Sequence, residues 1–171
     1  GRHQHLDGRS RPLKHEEQTM IDEGMKNLDS RFDHFVPRAD TRGKELEKIP
    51  EKINAILDEV PENKSFFLYF GFQQPHRRFD KDYEDISPDG LILPPDWPDL
   101  PEVRRDYARF LSDVRDMDRG FGYIMDVLDN RGLTDNTIVI FMGDNGESLL
   151  RGKGTLHTRG IHVPLIIRWP G

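Results

Sequence analysis

The stretch Val103–Leu128 constrains this chain more than any other. Val103, Tyr107, Phe110, Val114, Met117, Phe121, Ile124 and Leu128 recur at steps of four and three, which is one face of a long helix. Arginine and aspartate fill the opposite face, so the spacing predicts a helix that packs on one side only. Gly132 supplies a stop signal. Two apolar runs of strand length bracket the helix, Ser65–Phe70 and Thr137–Met142, and a third, Val163–Trp169, follows. Strand, long helix, strand is the α/β pattern. Apolar residues on both faces of the bracketing runs predict strands covered on both sides, in a mostly parallel central sheet flanked by helices.

The remaining elements are shorter. Pro50 suits a first helical turn. Ile53, Ile56, Leu57 and Val60 then share a face, and Pro61 ends the helix. Residues 1–45 are polar and irregular, with one short helix expected over Glu16–Leu28. Residues 80–101 are rich in proline and acids, the composition of a long surface excursion. Hydrophobic residues are 35% of the 171 and charged residues 33%, with a mean hydropathy of −0.75. That is polar for such a length, and part of the core is expected to come from residues outside the chain.

Several function classes are excluded. Net charge is −6, and no lysine or arginine block offers a nucleic-acid face. No apolar run is long enough to span a membrane. There are no cysteines, hence no disulfide, thiolate metal site or cysteine nucleophile.

Two loops follow the apolar runs. "GFQQPH" follows Ser65–Phe70 and "GDNGE" follows Thr137–Met142. In open α/β sheets, ligand sites lie beyond the carboxyl ends of strands, so both loops are expected to face one crevice. Asp144-Asn145-Gly146 reads either as a turn or as a carboxylate and an amide oxygen for a hard cation. Lys153, between two glycines, is either a solvated charge or a point donor to an anion that the flanking backbone approaches closely. His76 follows a proline and precedes Arg77 and Arg78. It is either structural or a donor to an anion or leaving group, and the two arginines are either solvated or part of that site.

With these pieces in order, "FFLYFGFQQPHRRF", "VIFMGDNGE" and "RGKGTLHTRGIHVPLIIRWPG" resemble the type I sulfatases of the alkaline-phosphatase superfamily. The long helix ending in "LDNRGLTDNTIVIF" is also similar, and the resemblance covers Phe66–Gly171. It implies an alkaline-phosphatase-like sandwich. The chain would be part of a sulfatase catalytic domain, with residues 46–171 resembling the family's core and 1–45 divergent or shortened. It implies that Asp144 and Asn145 are calcium ligands, and that Lys153 and His76 are catalytic residues that contact the sulfate of a small-molecule or glycan ester. The implied reaction is sulfuric ester hydrolysis. The implied compartment is periplasmic, secreted or lysosomal.

The chain also departs from the family. Its nucleophile, a formylglycine made within Cys/Ser-x-Pro-x-Arg, has no such motif here, and "GRHQHLDG" looks like the segment just beyond it. The resemblance therefore places the formylglycine and the first calcium-binding aspartates upstream of Gly1, with this chain inactive alone. The Gly-Lys-x-His element is absent as well. "HLDG" and "RFDHF" lie closer together than is usual, as an internal deletion or shortening would leave them, and His162 stands where arginine is usual. Two competing readings stand beside the sulfatase. One is a phosphodiester or phosphonate hydrolase of the same superfamily. The other is a non-catalytic module that binds anionic glycans.

Overall fold

The computed structural model describes residues 41–79 and 86–170. The helix expected over Glu16–Leu28 lies outside them. A 3-10 helix, Gly43–Lys48, runs directly into α1, Ile49–Asp58. The long helix α2 is Pro101–Asn130. Strands β1, Val139–Met142, and β2, Leu165–Arg168, follow, separated by the single helical turn α3, Thr158–Ile161.

Both long helices start where proline predicts, with Pro50 and Pro101 in their first turns. α2 stops at Gly132, whose φ of 67° places it in the left-handed region. The Gly132 N–H reaches the Asp129 carbonyl at 2.9 Å and the Leu133 N–H reaches Leu128 at 2.8 Å, the paired bonds of a Schellman cap.

The core lies where α1 and its leading 3-10 helix press on α2. Leu46, Ile49, Ile53, Leu57, Ile124 and Val127 form one buried cluster, and Phe66, Leu68, Phe70 and Phe72 pack against it. Gly120 makes the close approach possible. A Cβ there would stand 2.7 Å from Leu46 Cδ1 and 2.8 Å from Phe72 Cε1. At the far end Arg131 Nε donates to Asn54 Oδ1 at 2.6 Å and pairs with Asp58, joining the C-terminal ends of the two helices.

One expectation needs correcting: α2 packs over more than its apolar stripe. The stripe itself meets aromatic partners, Phe121 with Phe141 of β1 edge to face at 5.5 Å, and Tyr107 and Phe110 with Trp97 and Phe79 at 5.2 and 5.7 Å. The buried positions also include Ala108, Ser112, Asp113 and Gly120, which lie off the stripe, because small residues let neighbours approach closely. Within the stripe, Ile124 and Leu128 are buried and the other members are half-covered. The sheet among the described residues is two-stranded and antiparallel, with Val139 opposite Arg168 and Met142 opposite Leu165, and the mostly parallel central sheet expected from the sequence is not seen among them. Ser65–Phe70 is extended but joins no ladder among the described residues. It is held by alternate side chains packed on the core, not by backbone pairing.

Candidate functional site

Two loops carry the four residues singled out by the sequence, Asp144, Asn145, Lys153 and His76. The first is anchored to the segment that opens the described chain. Thr41 and Gln74 are both buried. The Thr41 hydroxyl lies 2.6 Å from Gln74 Oε1, and Gln74 Nε2 donates to the Thr41 carbonyl at 2.5 Å. The Arg42 guanidinium donates to the carbonyls of His76 and Arg78 at 2.7 and 2.6 Å. Buried polar groups matched in this way are costly to disturb, so the backbone presenting the exposed His76 is fixed. The His76 N–H closes a turn on Gln73 at 2.8 Å, and its Nδ1 lies against the Arg77 carbonyl.

The second loop leaves β1 through Gly143 and runs to α3. It folds back on itself. The Gly146 N–H reaches the Gly160 carbonyl at 3.1 Å, and the Lys153 N–H reaches Glu147 at 2.7 Å. Gly146 cannot be replaced in this geometry, because a Cβ would stand 1.7 Å from the Arg159 carbonyl oxygen. The glycine before Lys153 has a similar duty. The Cβ space of Gly152 is taken by the Glu147 carbonyl oxygen at 2.0 Å, so this glycine admits the loop's own backbone rather than a ligand's.

The two loops abut. Arg77 Nε donates to the Ser148 carbonyl at 2.7 Å, while its fork pairs with Asp106 of α2 and its Cζ sits 4.6 Å over the Phe79 ring. The second loop is also held from the proline-rich excursion. Asp96 accepts from Arg151 at 3.3 Å and Arg159 at 3.0 Å, and Arg159 lies 4.9 Å over buried Trp97. The expectation that both loops face one crevice thus has its loops side by side, joined at Arg77.

The charges sort themselves. Arg77, Arg151 and Arg159 are each committed to a carboxylate. Lys153 is half-buried, and its ammonium has no ion-pair partner among the described residues. A lysine held partly out of water without a carboxylate is suited to an anion that arrives from solution. Asp144 and Asn145 supply one carboxylate and one amide oxygen, a donor set that fits a hard cation. Among the described residues no group of three or more histidines or acids that could hold a metal ion is gathered.

Thr41, Arg42, Gln74 and Asp96 were not legible as site residues. Thr41 and Arg42 sit in a stretch without periodicity, and Asp96 is one acid among many in the excursion. The Asp96-Trp97 pair was the one available signal, since a tryptophan inside a polar loop needs something to cover it.

The description of the family model that matches residues 14–171 is "Sulfatase". An "Ulvan-active sulfatase" of Formosa agariphila is 36% identical over 46% of this chain and 13% of its own length. An "Endo-4-O-sulfatase" of Bacteroides thetaiotaomicron is 30% identical over 63% of this chain and 24% of its own. A solved structure from work on Bacteroides thetaiotaomicron glycosaminoglycan metabolism superimposes with a TM-score of 0.64, at 24% identity, over 75% of this chain and 29% of that one; at that identity it speaks for the fold. The matched stretch is therefore a quarter or less of either curated relative.

Proposed function

The chain belongs to the sulfatase family, and from that premise we propose that it supplies the anion-holding half of a sulfuric ester hydrolase site. The observation that carries the proposal is the half-buried Lys153, unpaired among the described residues, in a loop whose arginines are all engaged. In this reading the Lys153 ammonium donates to the sulfuryl oxygens. His76, on the abutting loop, donates to a sulfuryl oxygen or to the leaving oxygen as its bond to sulfur breaks. Fixed donors of this kind cost no reorganisation as charge develops.

Asp144 and Asn145 would hold calcium, which when bound adds Lewis-acid charge beside the same oxygens. No Cys/Ser-x-Pro-x-Arg stretch occurs among these 171 residues, so none of them is assigned here as the nucleophile. Residues 1–171 are read as part of the catalytic domain, within an alkaline-phosphatase-like sandwich whose central sheet is mostly parallel. The relatives' names point to sulfate esters on carbohydrates as substrates, and the family resemblance points to a periplasmic, secreted or lysosomal setting. Among the described residues no helix is long and apolar enough to cross a membrane.

Calcium titration of the purified chain by calorimetry tests the metal half. Two side-chain ligands should give a dissociation constant weaker than roughly 10⁻⁴ M, abolished in Asp144→Ala. In the whole protein, Lys153→Ala and His76→Ala should each lower kcat/KM for sulfate release from a sulfated oligosaccharide by roughly 10²-fold. Unchanged turnover in both variants would overturn the assignment.

A further inference from the structure

We propose that Arg77 is the positioning residue that sets the spacing between the two halves of this site. The inference rests on the function proposed above and extends it to a residue whose side-chain hydrogen bonds go to Ser148 and Asp106.

Arg77 is the residue after His76, and its carbonyl meets the His76 ring, yet its side-chain contacts lie elsewhere. Its Nε donates to the Ser148 carbonyl at 2.7 Å, inside the loop that runs from Asp144 to Lys153. Its Nη1 and Nη2 form a fork on the Asp106 carboxylate of α2. The guanidinium plane lies 4.6 Å over the Phe79 ring, and Phe79 is buried and packs edge to face on Phe110 of α2. One side chain thus links the His76 loop, the Lys153 loop and the most regular helix of the chain. Ser148 lies 71 positions from Arg77 in sequence.

The chemistry requires arginine. The planar fork engages both oxygens of Asp106 and leaves Nε directed at Ser148, so the angle between helix and loop is fixed by one rigid group. Lysine offers a single point of charge with rotatable donors and lacks the planar fork, so it cannot hold both Asp106 oxygens and the Ser148 carbonyl at one fixed angle. A shared anion between His76 and Lys153 needs their loops at a constant separation, since small misplacements of a binding group cost rate and affinity steeply.

Hydrogen exchange on the chain tests the linkage directly. In Arg77→Ala the Gly152 and Lys153 amides, which bond to Leu149 and Glu147, should lose protection, while amides of Ile53 and Val127 in the core keep theirs. Arg77→Lys should behave like alanine. Arg119→Ala, which removes a surface pair with Asp116 on α2, should change neither. Unchanged exchange at Gly152 and Lys153 in Arg77→Ala, or equal loss throughout the core, would overturn the proposal whether or not the site binds an anion.

A second arm separates this from the functional reading. Inorganic sulfate is titrated into the labelled chain with calcium present, and the His76 and Lys153 resonances are followed. In the native chain both should move with one dissociation constant. In Arg77→Ala that constant should weaken about tenfold and the two resonances should no longer share it. No response in the native chain would sink the anion site and leave the exchange result to decide on Arg77. A shared, unchanged constant in Arg77→Ala would sink the positioning role and leave the anion site standing.

Discussion

One face of this molecule is closed and another is open, and the same kind of sequence lies on both. On the closed side, Ile49 and Ile53 are 1% exposed and interlock with α2. On the open side, Phe67 is 78% exposed and Tyr69 77%, and Ile140, Met142, Leu165 and Ile167, which share the sheet face away from Phe141, are also exposed. The extended segment shows the contrast within itself. Phe66, Leu68 and Phe70 turn to the core while Phe67 and Tyr69 turn out. Apolar character on both faces of a strand states that two covers are needed; it does not state that one chain provides both. The described residues provide one.

The sharpest test of that contrast is a matched pair of truncations. Ile53→Ala should cost about 2–5 kcal/mol in urea unfolding, because it empties a filled core position. Ile140→Ala removes the same atoms from an exposed position and should cost less than about 0.5 kcal/mol. Equal costs would mean that the open face is covered in solution and that the two regions do not differ.

A second pair probes how tightly the closed side is packed. Gly120 and Gly122 lie two residues apart in α2. A Cβ at Gly120 would meet Leu46, Phe72 and Ile49 at 2.7, 2.8 and 3.2 Å, whereas one at Gly122 meets nothing within 4 Å. Gly120→Ala should lose about 1–3 kcal/mol to overpacking. Gly122→Ala should gain up to about 1 kcal/mol from helix propensity. Thermal melts of the two would then shift in opposite directions, and a gain in both would show that the α1–α2 contact yields easily.

The open face should announce itself in solution. Exposed apolar surface of this extent binds hydrophobic dyes and invites association, and β1 and β2 each have an edge with no partner among the described residues. The chain should bind such a dye and associate as concentration rises. A triple substitution of Phe67, Tyr69 and Ile140 to serine should reduce both effects and move the melting midpoint little. A monomer at high concentration with a sharp two-state melt would break the comparison outright.

What was legible in the sequence follows the same division. Helix starts, the Gly132 stop and the long stripe are set by local chemistry and came through to within a few residues. The side on which α2 is most buried did not, because Gly120 and Ala108 carry no hydrophobic signal and gain their burial from what approaches them. The antiparallel pairing of β1 with β2 was also hidden, since strand direction depends on which neighbours are available rather than on the strand's own residues. At the site, His76, Asp144, Asn145 and Lys153 stood out by residue type and loop position, while their roles are proposals that rest on the family and on the charge pattern. The parts that hold them were not visible. Arg42, Arg77 and Asp96 act through carbonyls and partners tens of residues away, and the hints beside them, His76 next to Arg77 and Trp97 next to Asp96, do not say which partner is reached.

The smallest expected effect is the response to acid, and it separates the two regions again. The Lys48 ammonium, 2.5 Å from Glu45, holds the Glu45 carboxyl below its ordinary value of 4.5, with Lys52 adding to the effect. The Arg104 guanidinium does the same to Asp99, whose ordinary value is 3.8. A carboxylate whose pKa is lowered by folding contributes stability above its ordinary value and loses it as pH falls through the lower, folded one. Lys48 and Arg104 are shifted upward by the same contacts; their contribution is whole below their ordinary values and is lost only as pH rises through the higher, folded ones. Stability from these pairs should therefore be flat through neutrality and decline in acid below about pH 4.5. Both carboxylates lie on solvent, where such pairs contribute little, so the decline is shallow. Neither belongs to the exposed strands. Glu45 stands in the 3-10 helix that carries Leu46 into the core, and Arg104 joins α2 to the turn at Pro88–Gly90 through the Pro88 and Leu91 carbonyls at 3.0 and 2.9 Å. Acid should loosen hydrogen exchange there first and leave dye binding at the open face unchanged. Glu45→Gln with Asp99→Asn should flatten the acid limb. An acid limb that persists in the double variant would place the responsible carboxylates elsewhere.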